Sequence, residues 1–237
     1  MARSDQYRAL REEVLQANLA VRDAGLAPLT WGNVSGADHQ AGVIAIKPSG
    51  VPYDELTIDR IVVVDLESGE RVAGTDRPST DTPTHLELYR ADNRIGGVVH
   101  THSPYATSFA QARMPIPCFG TTHADHFAGD VPVTRHPSPE ELASGYESAT
   151  GRIVVDHFKD RGIDVIEVPA VLLPNHGPFV WGSSAEKAVS NAIALEAVAM
   201  MAATTLGLRA DTPEAPKRLR DAHFSRKHGP NAYYGQR

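Results

Sequence analysis

A short apolar stretch that is bounded by glycines and ends in two histidines constrains the fold of this chain most. It reads Gly96-Gly97-Val98-Val99-His100-Thr101-His102-Ser103. Residues i and i+2 of a strand point to the same face, so a strand here would present the imidazoles of His100 and His102 to one point. A second apolar run leads to His176. Three such imidazoles would make a metal site with an open coordination position. The alternative is three ordinary histidines at strand ends.

Strand and helix signals interleave along the rest of the chain. Short β-branched runs punctuated by glycine or proline predict strands, and prolines preceded by a hydroxyl side chain predict helix starts. The predicted strands are Val43–Lys47, Ile61–Asp65, Ile95–Thr101 and Val171–Pro174. The predicted helix starts are Ser4, Thr82-Pro83, Ser103-Pro104, Ser138-Pro139 and Ser184.

Two of these helices have informative patterns. The helix that Ser4 would cap carries apolar residues at helical spacing up to a terminating Gly25, which is typical of a helix packed on a sheet. The segment from Ser184 to Leu206 is apolar nearly all round, which predicts burial in the core or against another subunit.

Composition narrows the class of protein further. A net charge of −6 argues against a general nucleic-acid binder but leaves room for a local cationic pocket. The single cysteine, Cys118, excludes an internal disulfide and a zinc site of several thiolates. The 237 residues contain no run of 18 apolar residues and begin without an apolar signal core. We therefore expect one soluble, cytoplasmic domain that does not enter a membrane.

Three loops rich in glycine and hydroxyl side chains predict anion binding. They are Thr30–Ser35, Lys47–Gly50 and Arg77–Pro83. Free amides and hydroxyls can bind a phosphate, and the third loop enters a helix whose N-terminus favours an anion. Ordinary turns of an α/β protein have similar compositions, so this signal alone is weak.

Several other side chains could carry chemistry. Asp81 directly precedes a predicted helix and could be a cap, a fourth metal ligand or a catalytic base. Asp125 lies in a loop with two histidines, and Tyr234 lies in a polar tail that would by default be mobile. Lys47 could form a Schiff base with a ketose if it were partly buried, although a metal can do the same work.

Together these motifs resemble the class II aldolase and epimerase family, whose fold is shared by the adducin head. The resemblance covers nearly the whole chain. It runs through residues 15–19, 29–35, 46–51, 78–85, 100–103, 120–125, 176–179, 226–229 and 232–236.

The resemblance implies a fold and a ligand set. The fold is a single three-layer α/β domain over residues 1–237, with a central, largely antiparallel sheet flanked by helices. Each subunit would hold one Zn²⁺, or another divalent ion such as Co²⁺ or Mn²⁺. The implied metal ligands are Asp81, His100, His102 and His176. The implied substrate-binding residues are Gly32, Asn33, Lys47, Ser49, Gly50, Ser79 and Thr80.

The resemblance also implies an assembly. Asp125 and Tyr234 match an acid/base pair that the family's epimerases receive from the adjoining subunit of a homotetramer. The tail at about 211–237 would then dock near a neighbouring subunit's site. Glu147, Thr121 and His223 match residues that support that site.

The implied activity is the interconversion of L-ribulose 5-phosphate and D-xylulose 5-phosphate, by opening and re-forming the bond between carbons 3 and 4. L-Xylulose 5-phosphate is an alternative substrate. The nearest other activity is a class II aldolase for L-fuculose 1-phosphate or a related ketose phosphate, but that subfamily has a glutamate where Asp81 stands. A sugar-phosphate dehydratase is a weaker possibility. A non-enzymatic, adducin-like binding module would lack the three histidines.

Overall fold

A seven-stranded antiparallel sheet forms the centre of the molecule. The computed structural model describes residues 6–235, so the predicted cap at Ser4 lies outside the described residues. The strands are β1 (Asn33–Asp38), β2 (Val43–Ile46), β3 (Val62–Asp65), β4 (Arg71–Ala73), β5 (Gly97–His100), β6 (Ala170–Leu173) and β7 (Gly177–Gly182). Their order across the sheet is β4-β3-β2-β1-β5-β7-β6, and every neighbouring pair is antiparallel.

Eight α-helices accompany the sheet in the described part of the chain. They are α1 (Arg8–Asp23), α2 (Thr82–Ala91), α3 (Pro104–Ala112), α4 (Thr121–Ala124), α5 (Pro139–Ser144), α6 (Tyr146–Arg161), α7 (Ala185–Leu208) and α8 (Lys217–His228). Two 3-10 helices, Tyr53–Glu55 and Ile58–Arg60, lie between β2 and β3.

Alternating side chains divide the core into two layers, one on each face of the sheet. On β5, Val99 packs in the cluster that includes α1, α3 and α7, whereas Val98 packs with α2 and α6. The same alternation on β7 separates Val180 from Phe179 and Trp181. Period-two burial on both faces is what a sheet covered by helices requires. The predicted three-layer α/β architecture with an antiparallel sheet is therefore confirmed.

The glycine pair before the histidine strand lets a helix approach the sheet closely. Gly97 pairs with Gly182 on β7, and a β-carbon at Gly97 would clash with the backbone of Ala185 at the start of α7. A β-carbon at Gly96 would clash in the same way with the carbonyl of Ser183. The two glycines thus act through close packing, which fixes the N-terminus of α7 against the strand that carries His100.

The four predicted strands occur: β2 and β3 are each one residue shorter than predicted, β5 is three residues shorter, and β6 is shifted by one residue toward the N-terminus. Strands β1, β4 and β7 were not predicted. The strand prediction for Ile95–Thr101 is partly wrong, because β5 ends at His100 and His102 follows in the connection to α3. The capping prediction holds for Ser138 and Ser184, whose side chains accept backbone N–H groups. It is wrong for α2 and α3, which have no side-chain cap bond.

One side of helix α7 is apolar and buried, as the sequence predicted. Its core residues, such as Leu195 and Val198, pack in the same layer as α1 and α3. By length and hydropathy alone, α7 is the one helix in residues 6–235 that could cross a membrane, but a core helix satisfies the same criterion. Its opposite side leaves Ile193, Met200 and Met201 substantially exposed.

Candidate active site

Three histidines from two separate chain segments meet at one edge of the sheet. His100 is the last residue of β5, His102 follows it, and His176 lies in the turn between β6 and β7. Asn175 in that turn has a left-handed backbone, with φ of 61°. The candidate ligand atoms of the three histidines all lie within 4.8 Å of one another. The predicted grouping of three imidazoles is therefore present, although only His100 lies within a strand.

The ring nitrogens of the cluster are oriented for metal binding. The Nδ1–H of His100 donates to the carbonyl of Pro178 at 2.9 Å, which leaves Nε2 with a free lone pair. That Nε2 lies 3.1 Å from Nε2 of His102. Two nitrogens on a tetrahedral zinc ion lie about 3.3 Å apart, so this spacing fits a metal.

Electrostatics also favours the metal-binding form of these imidazoles. Burial lowers the pKa of His176 to about 4, and repulsion from His100 and His102 acts in the same direction. Burial and His100 likewise lower the pKa of His102. At neutral pH these two rings are uncharged, which is the state that donates a lone pair to a metal.

Asp81 lies beside the histidine cluster. Its carboxylate accepts a hydrogen bond from Nδ2 of Asn33 at 2.7 Å and does not cap α2. Burial opposes its ionisation, but His100, His85 and the Asn33 amide outweigh burial and lower the pKa of Asp81. Within residues 6–235, the group of potential ligand atoms within 4.8 Å contains the histidines without Asp81. Metal ligation by Asp81 stays a prediction.

The three predicted anion-binding loops lie next to one another. Pro48 pairs with Pro78, and the amides of Ser49 and Ser79 donate to carbonyls of the opposite loop at 2.9 and 3.1 Å. Asn33 connects the first loop to the third, since its Nδ2 also donates to Oγ of Ser79 at 3.1 Å. The fold therefore gathers the predicted substrate residues at one place beside the cluster.

Individual positions in these loops differ in accessibility. Asn33 and Ser79 are buried, whereas Gly50 and Thr80 are exposed. Gly32 packs closely against strand β5, because a β-carbon there would lie 2.6 Å from the carbonyl oxygen of His100. A glycine is required at this close approach, and its φ of 73° reinforces that requirement.

Lys47 is a buried lysine without a carboxylate partner in the described part of the chain. Its side chain is 2% exposed, and Nζ donates only long hydrogen bonds, of 3.5 Å, to the carbonyls of Thr30 and Pro48. Nζ also lies 4.8 Å from the ring centroid of Tyr53. Burial lowers the pKa of Lys47 to about 8. The cationic side chain of Lys47 thus lies among the predicted anion-binding loops.

Asp125 and Tyr234 meet on a single arginine. The guanidinium of Arg226 on α8 donates to both carboxylate oxygens of Asp125, at 3.0 and 2.8 Å. The same guanidinium lies 4.2 Å from the ring centroid of Tyr234. His223 donates a further hydrogen bond to Asp125 at 3.2 Å. Burial opposes ionisation of Asp125, but these two partners outweigh it and lower its pKa.

The polar tail adopts regular structure where it is described. Its helix α8 packs on α4 of the same chain, and the amide of Asp125 donates to the carbonyl of Thr121 at 2.9 Å. Glu147 lies in the first turn of α6 and accepts a hydrogen bond from Thr84 through its carbonyl. The predicted supporting roles of Thr121, Glu147 and His223 stay predictions.

A family match covers most of the chain. The Class II Aldolase and Adducin N-terminal domain matches residues 12–203. The chain belongs to this family. The assigned region contains all seven strands, the histidine cluster and the three loops, whereas α8 and Tyr234 lie beyond it.

Solved structures with the same fold support this placement. YgbL from Klebsiella pneumoniae, a candidate aldolase/epimerase/decarboxylase, is 29% identical with a TM-score of 0.69, over 90% of this chain and 97% of that one. YgbL from Escherichia coli is 26% identical with a TM-score of 0.72, over 92% and 99%. An L-fuculose 1-phosphate aldolase is 24% identical with a TM-score of 0.74, over 95% and 97%, and shows the shared fold.

In this class II aldolase family chain, Tyr146 contacts the histidine cluster, a contact that the sequence did not reveal. The phenol of Tyr146, at the start of α6, shares a 2.8 Å hydrogen bond with Nδ1 of His176. His176 lies in a turn outside the strands, and the Tyr146 hydroxyl provides its ring with a hydrogen-bond partner. A second partner of this kind sets the tautomer of a metal ligand and leaves Nε2 to face the metal.

Removal of the Tyr146 hydroxyl is expected to weaken metal binding. We expect Tyr146→Phe to lower metal affinity about 10- to 100-fold, the usual effect of losing a hydrogen bond to a ligand. Competition with a chromophoric chelator measures this affinity. Tyr7→Phe, which removes a phenol at the N-terminus of α1, is the matched control. Equal affinity in Tyr146→Phe and the wild type would contradict the assignment.

Proposed function

We propose that this chain is a metal-dependent sugar-phosphate 4-epimerase that interconverts L-ribulose 5-phosphate and D-xylulose 5-phosphate. The observation that carries the proposal is the meeting of Asp125 and Tyr234 on Arg226, which pairs a carboxylate with a phenol. Inversion at an alcohol carbon by opening and closing a bond needs two proton-transfer groups, and this pair supplies them.

The position of the inverted carbon in the substrate explains why two proton-transfer groups are needed. Carbon 4 of a 2-ketopentose is not adjacent to the carbonyl, so removal of its proton gives no stabilised anion. Opening of the bond between carbons 3 and 4 requires that the 4-hydroxyl lose its proton to a base. After the aldehyde rotates, re-formation of the bond requires that an acid protonate the new alkoxide. Exchange with solvent then restores both groups.

His100, His102 and His176 would hold the metal, and Asp81 is their proposed fourth partner. The donor set fits a divalent ion of intermediate softness such as Zn²⁺, Co²⁺ or Mn²⁺. Such an ion would act as a Lewis acid that stabilises the negative charge developing on the ketose oxygens. His100 is oriented for this role by its bond to Pro178, and His176 by its bond to Tyr146.

The three loops would bind the phosphate of the substrate. Lys47 supplies positive charge, and Ser49, Gly50, Ser79 and Thr80 supply hydroxyl and amide donors. The buried oxygen Oδ1 of Asn33 has no hydrogen-bond partner among the described residues, which suits it to accept a bond from a sugar hydroxyl. Gly32 allows this loop to approach His100.

Asp125 and Tyr234 would act on the site of a neighbouring subunit in a homotetramer, with the tail at about 211–237 docked there. The exposed apolar side of α7 offers surface for such an assembly. A cytoplasmic location suits the free, buried thiol of Cys118. The proposed partners are a small ketose phosphate and further copies of the chain, without nucleic acid or membrane.

A class II aldolase is the second candidate function, and the fold shared with L-fuculose 1-phosphate aldolase favours it. The shorter carboxylate of Asp81, in place of a glutamate base, supports the epimerase instead. L-Xylulose 5-phosphate remains an alternative substrate for an epimerase. The intact cluster of three histidines supports either enzyme over a binding module.

One experiment separates these functions. The metal-loaded protein is incubated side by side with L-ribulose 5-phosphate, L-xylulose 5-phosphate and L-fuculose 1-phosphate. We expect isomerised pentose phosphate without net release of an aldehyde. Net aldehyde release from L-fuculose 1-phosphate, with no isomerisation of either pentose, would establish the aldolase instead.

A further inference from the structure

We propose that Arg226 is a positioning residue that holds the two proton-transfer groups, Asp125 and Tyr234, in one fixed arrangement. Its guanidinium uses Nε and Nη2 for the two carboxylate oxygens, and its Cζ lies over the phenol ring, 4.2 Å from the ring centroid. A planar fork and a flat cationic face are properties that lysine lacks. The inference rests on the proposed function, because it assigns Arg226 a task within the proposed proton transfer.

The bond pattern indicates which carboxylate oxygen takes the proton. A carboxylate offers about four lone-pair positions in all. Oδ1 of Asp125 accepts from Arg226 and from His223, whereas Oδ2 accepts from Arg226 alone among the described residues. One position on Oδ2 therefore remains for a substrate hydroxyl. Because the ion pair keeps the carboxylate ionised, Asp125 is the proton acceptor of the pair and Tyr234 the donor in one direction of the epimerisation, and the two groups exchange these roles in the reverse direction.

A purely structural role for Arg226 would be the attachment of α8 to the body of the chain. Other contacts already make that attachment: His228 donates to the carbonyl of Asp125 at 2.9 Å, and Arg220 lies 3.7 Å from Asp130. The amide of Ala215 also donates to the carbonyl of Cys118 at 2.9 Å. Replacement of Arg226 should thus leave α8 in place while it releases Asp125 and Tyr234.

The charged groups around Asp125 determine the direction in which loss of Arg226 would shift the pH dependence of activity. The groups that face Asp125 or its immediate neighbours are His126 in the same loop, His223, Arg226, Lys227 and His228 on α8, and Lys187 on α7. None of them is a carboxylate. Loss of the strongest cationic partner raises the pKa of Asp125, so the base becomes protonated at a higher pH.

The test compares Arg226→Lys and Arg226→Gln with Arg218→Gln, a control at an exposed arginine of the same helix. We expect both Arg226 variants to lower kcat at least ~10²-fold, in the range of general acid–base catalysis, with little change in KM or metal content. The acidic limb of the pH–kcat profile should move to higher pH in Arg226→Gln. Arg218→Gln should match the wild type in kcat and in pH profile.

A second measurement does not need activity. Carbon-13 labelling of the aspartate carboxyls and tyrosine rings allows NMR titration of Asp125 and Tyr234, which Asp125→Asn and Tyr234→Phe assign. We expect the Asp125 signal of Arg226→Gln to titrate at higher pH than in the wild type. The Tyr234 ring signal should also shift, because the variant lacks the guanidinium that lies 4.2 Å from the ring centroid.

The two measurements separate the outcomes. Wild-type kcat, pH profile and NMR titration in Arg226→Gln would overturn the positioning role while leaving the proposed function intact. An inactive wild type that still shows the NMR changes in Arg226→Gln would overturn the function and keep the positioning of Asp125 and Tyr234. Restored kcat in Arg226→Lys would show that charge alone suffices and would overturn the role assigned to the planar fork.

Discussion

Replacement of His100 by alanine is expected to abolish both metal binding and activity. The ring of His100 contacts both other rings of the cluster, with centroids 4.9 Å from His102 and 4.7 Å from His176. Its removal leaves two imidazoles and the proposed ligand Asp81, which lies outside the group of ligand atoms within 4.8 Å of one another, so the site loses one of its three converging donors. Lewis-acid catalysis contributes several kcal/mol, so we expect a loss of at least ~10³-fold in kcat, measured together with metal content by atomic emission.

The controls for this variant separate metal loss from misfolding. His100 is buried and stacks on Phe179 at 4.3 Å, so its truncation also leaves a cavity in the core. His102→Gln, at a partly exposed position, should lose the metal with less effect on stability. His136→Ala, at an exposed histidine outside the cluster, should keep both metal and activity. Stoichiometric metal in His100→Ala would refute the three-histidine centre.

The second large effect concerns the proposed acid/base pair. We expect Asp125→Asn and Tyr234→Phe each to slow epimerisation at least ~10²-fold, because each removes one of the two proton-transfer groups. Metal content should stay unchanged in both. Tyr234→Phe is the cleaner variant, since phenylalanine keeps an aromatic ring against Arg226 and loses only the hydroxyl. Steady-state kinetics with L-ribulose 5-phosphate measures the effect.

The neighbouring phenol supplies a matched control for Tyr234. Tyr233 is 78% exposed and adjacent in sequence, so Tyr233→Phe should leave kcat unchanged. Full activity in both Asp125→Asn and Tyr234→Phe would remove the basis for the assigned pair. A loss in Tyr233→Phe equal to that in Tyr234→Phe would point to the tail as a whole instead of one hydroxyl.

The strands that the sequence predicted are those with short runs of β-branched, apolar side chains. Strand β1 was missed because Asn33, Ser35 and Gly36 give it no apolar pattern. Its pairing with β2 and β5 makes it a strand, and the hydroxyl of Ser35 is satisfied by His85 and Tyr89, each at 2.7 Å. Non-local pairing and a buried polar network decided this structure, and neither is visible in local sequence.

The candidate site likewise combines contacts that local sequence predicts with contacts that it does not. The pairing of His100 with His102 was predictable from two nearby positions, even though the strand ends between them. The contact of Tyr146 with His176 spans 30 residues, and that of Arg226 with Asp125 spans 101. Such partners are set by how helices α6 and α8 dock, which local spacing does not encode. The adjacent Tyr233 and Tyr234 and the basic residues of the tail were the one sequence signal for the contact of the tail with Asp125.

Buried Lys47 links the binding site to the stability of the whole fold. Its pKa of about 8, lowered by burial from the model-compound value of 10.5, means that the folded protein accommodates the charged ammonium poorly. At neutral pH this mismatch costs about 3 kcal/mol of folding free energy, and the cost disappears as pH rises from 8 toward 10.5. An anion beside the ammonium would recover much of that free energy. The buried charge of Lys47 therefore destabilises the ligand-free protein. Phosphorylated sugars should raise the melting temperature of the protein more than their unphosphorylated counterparts do.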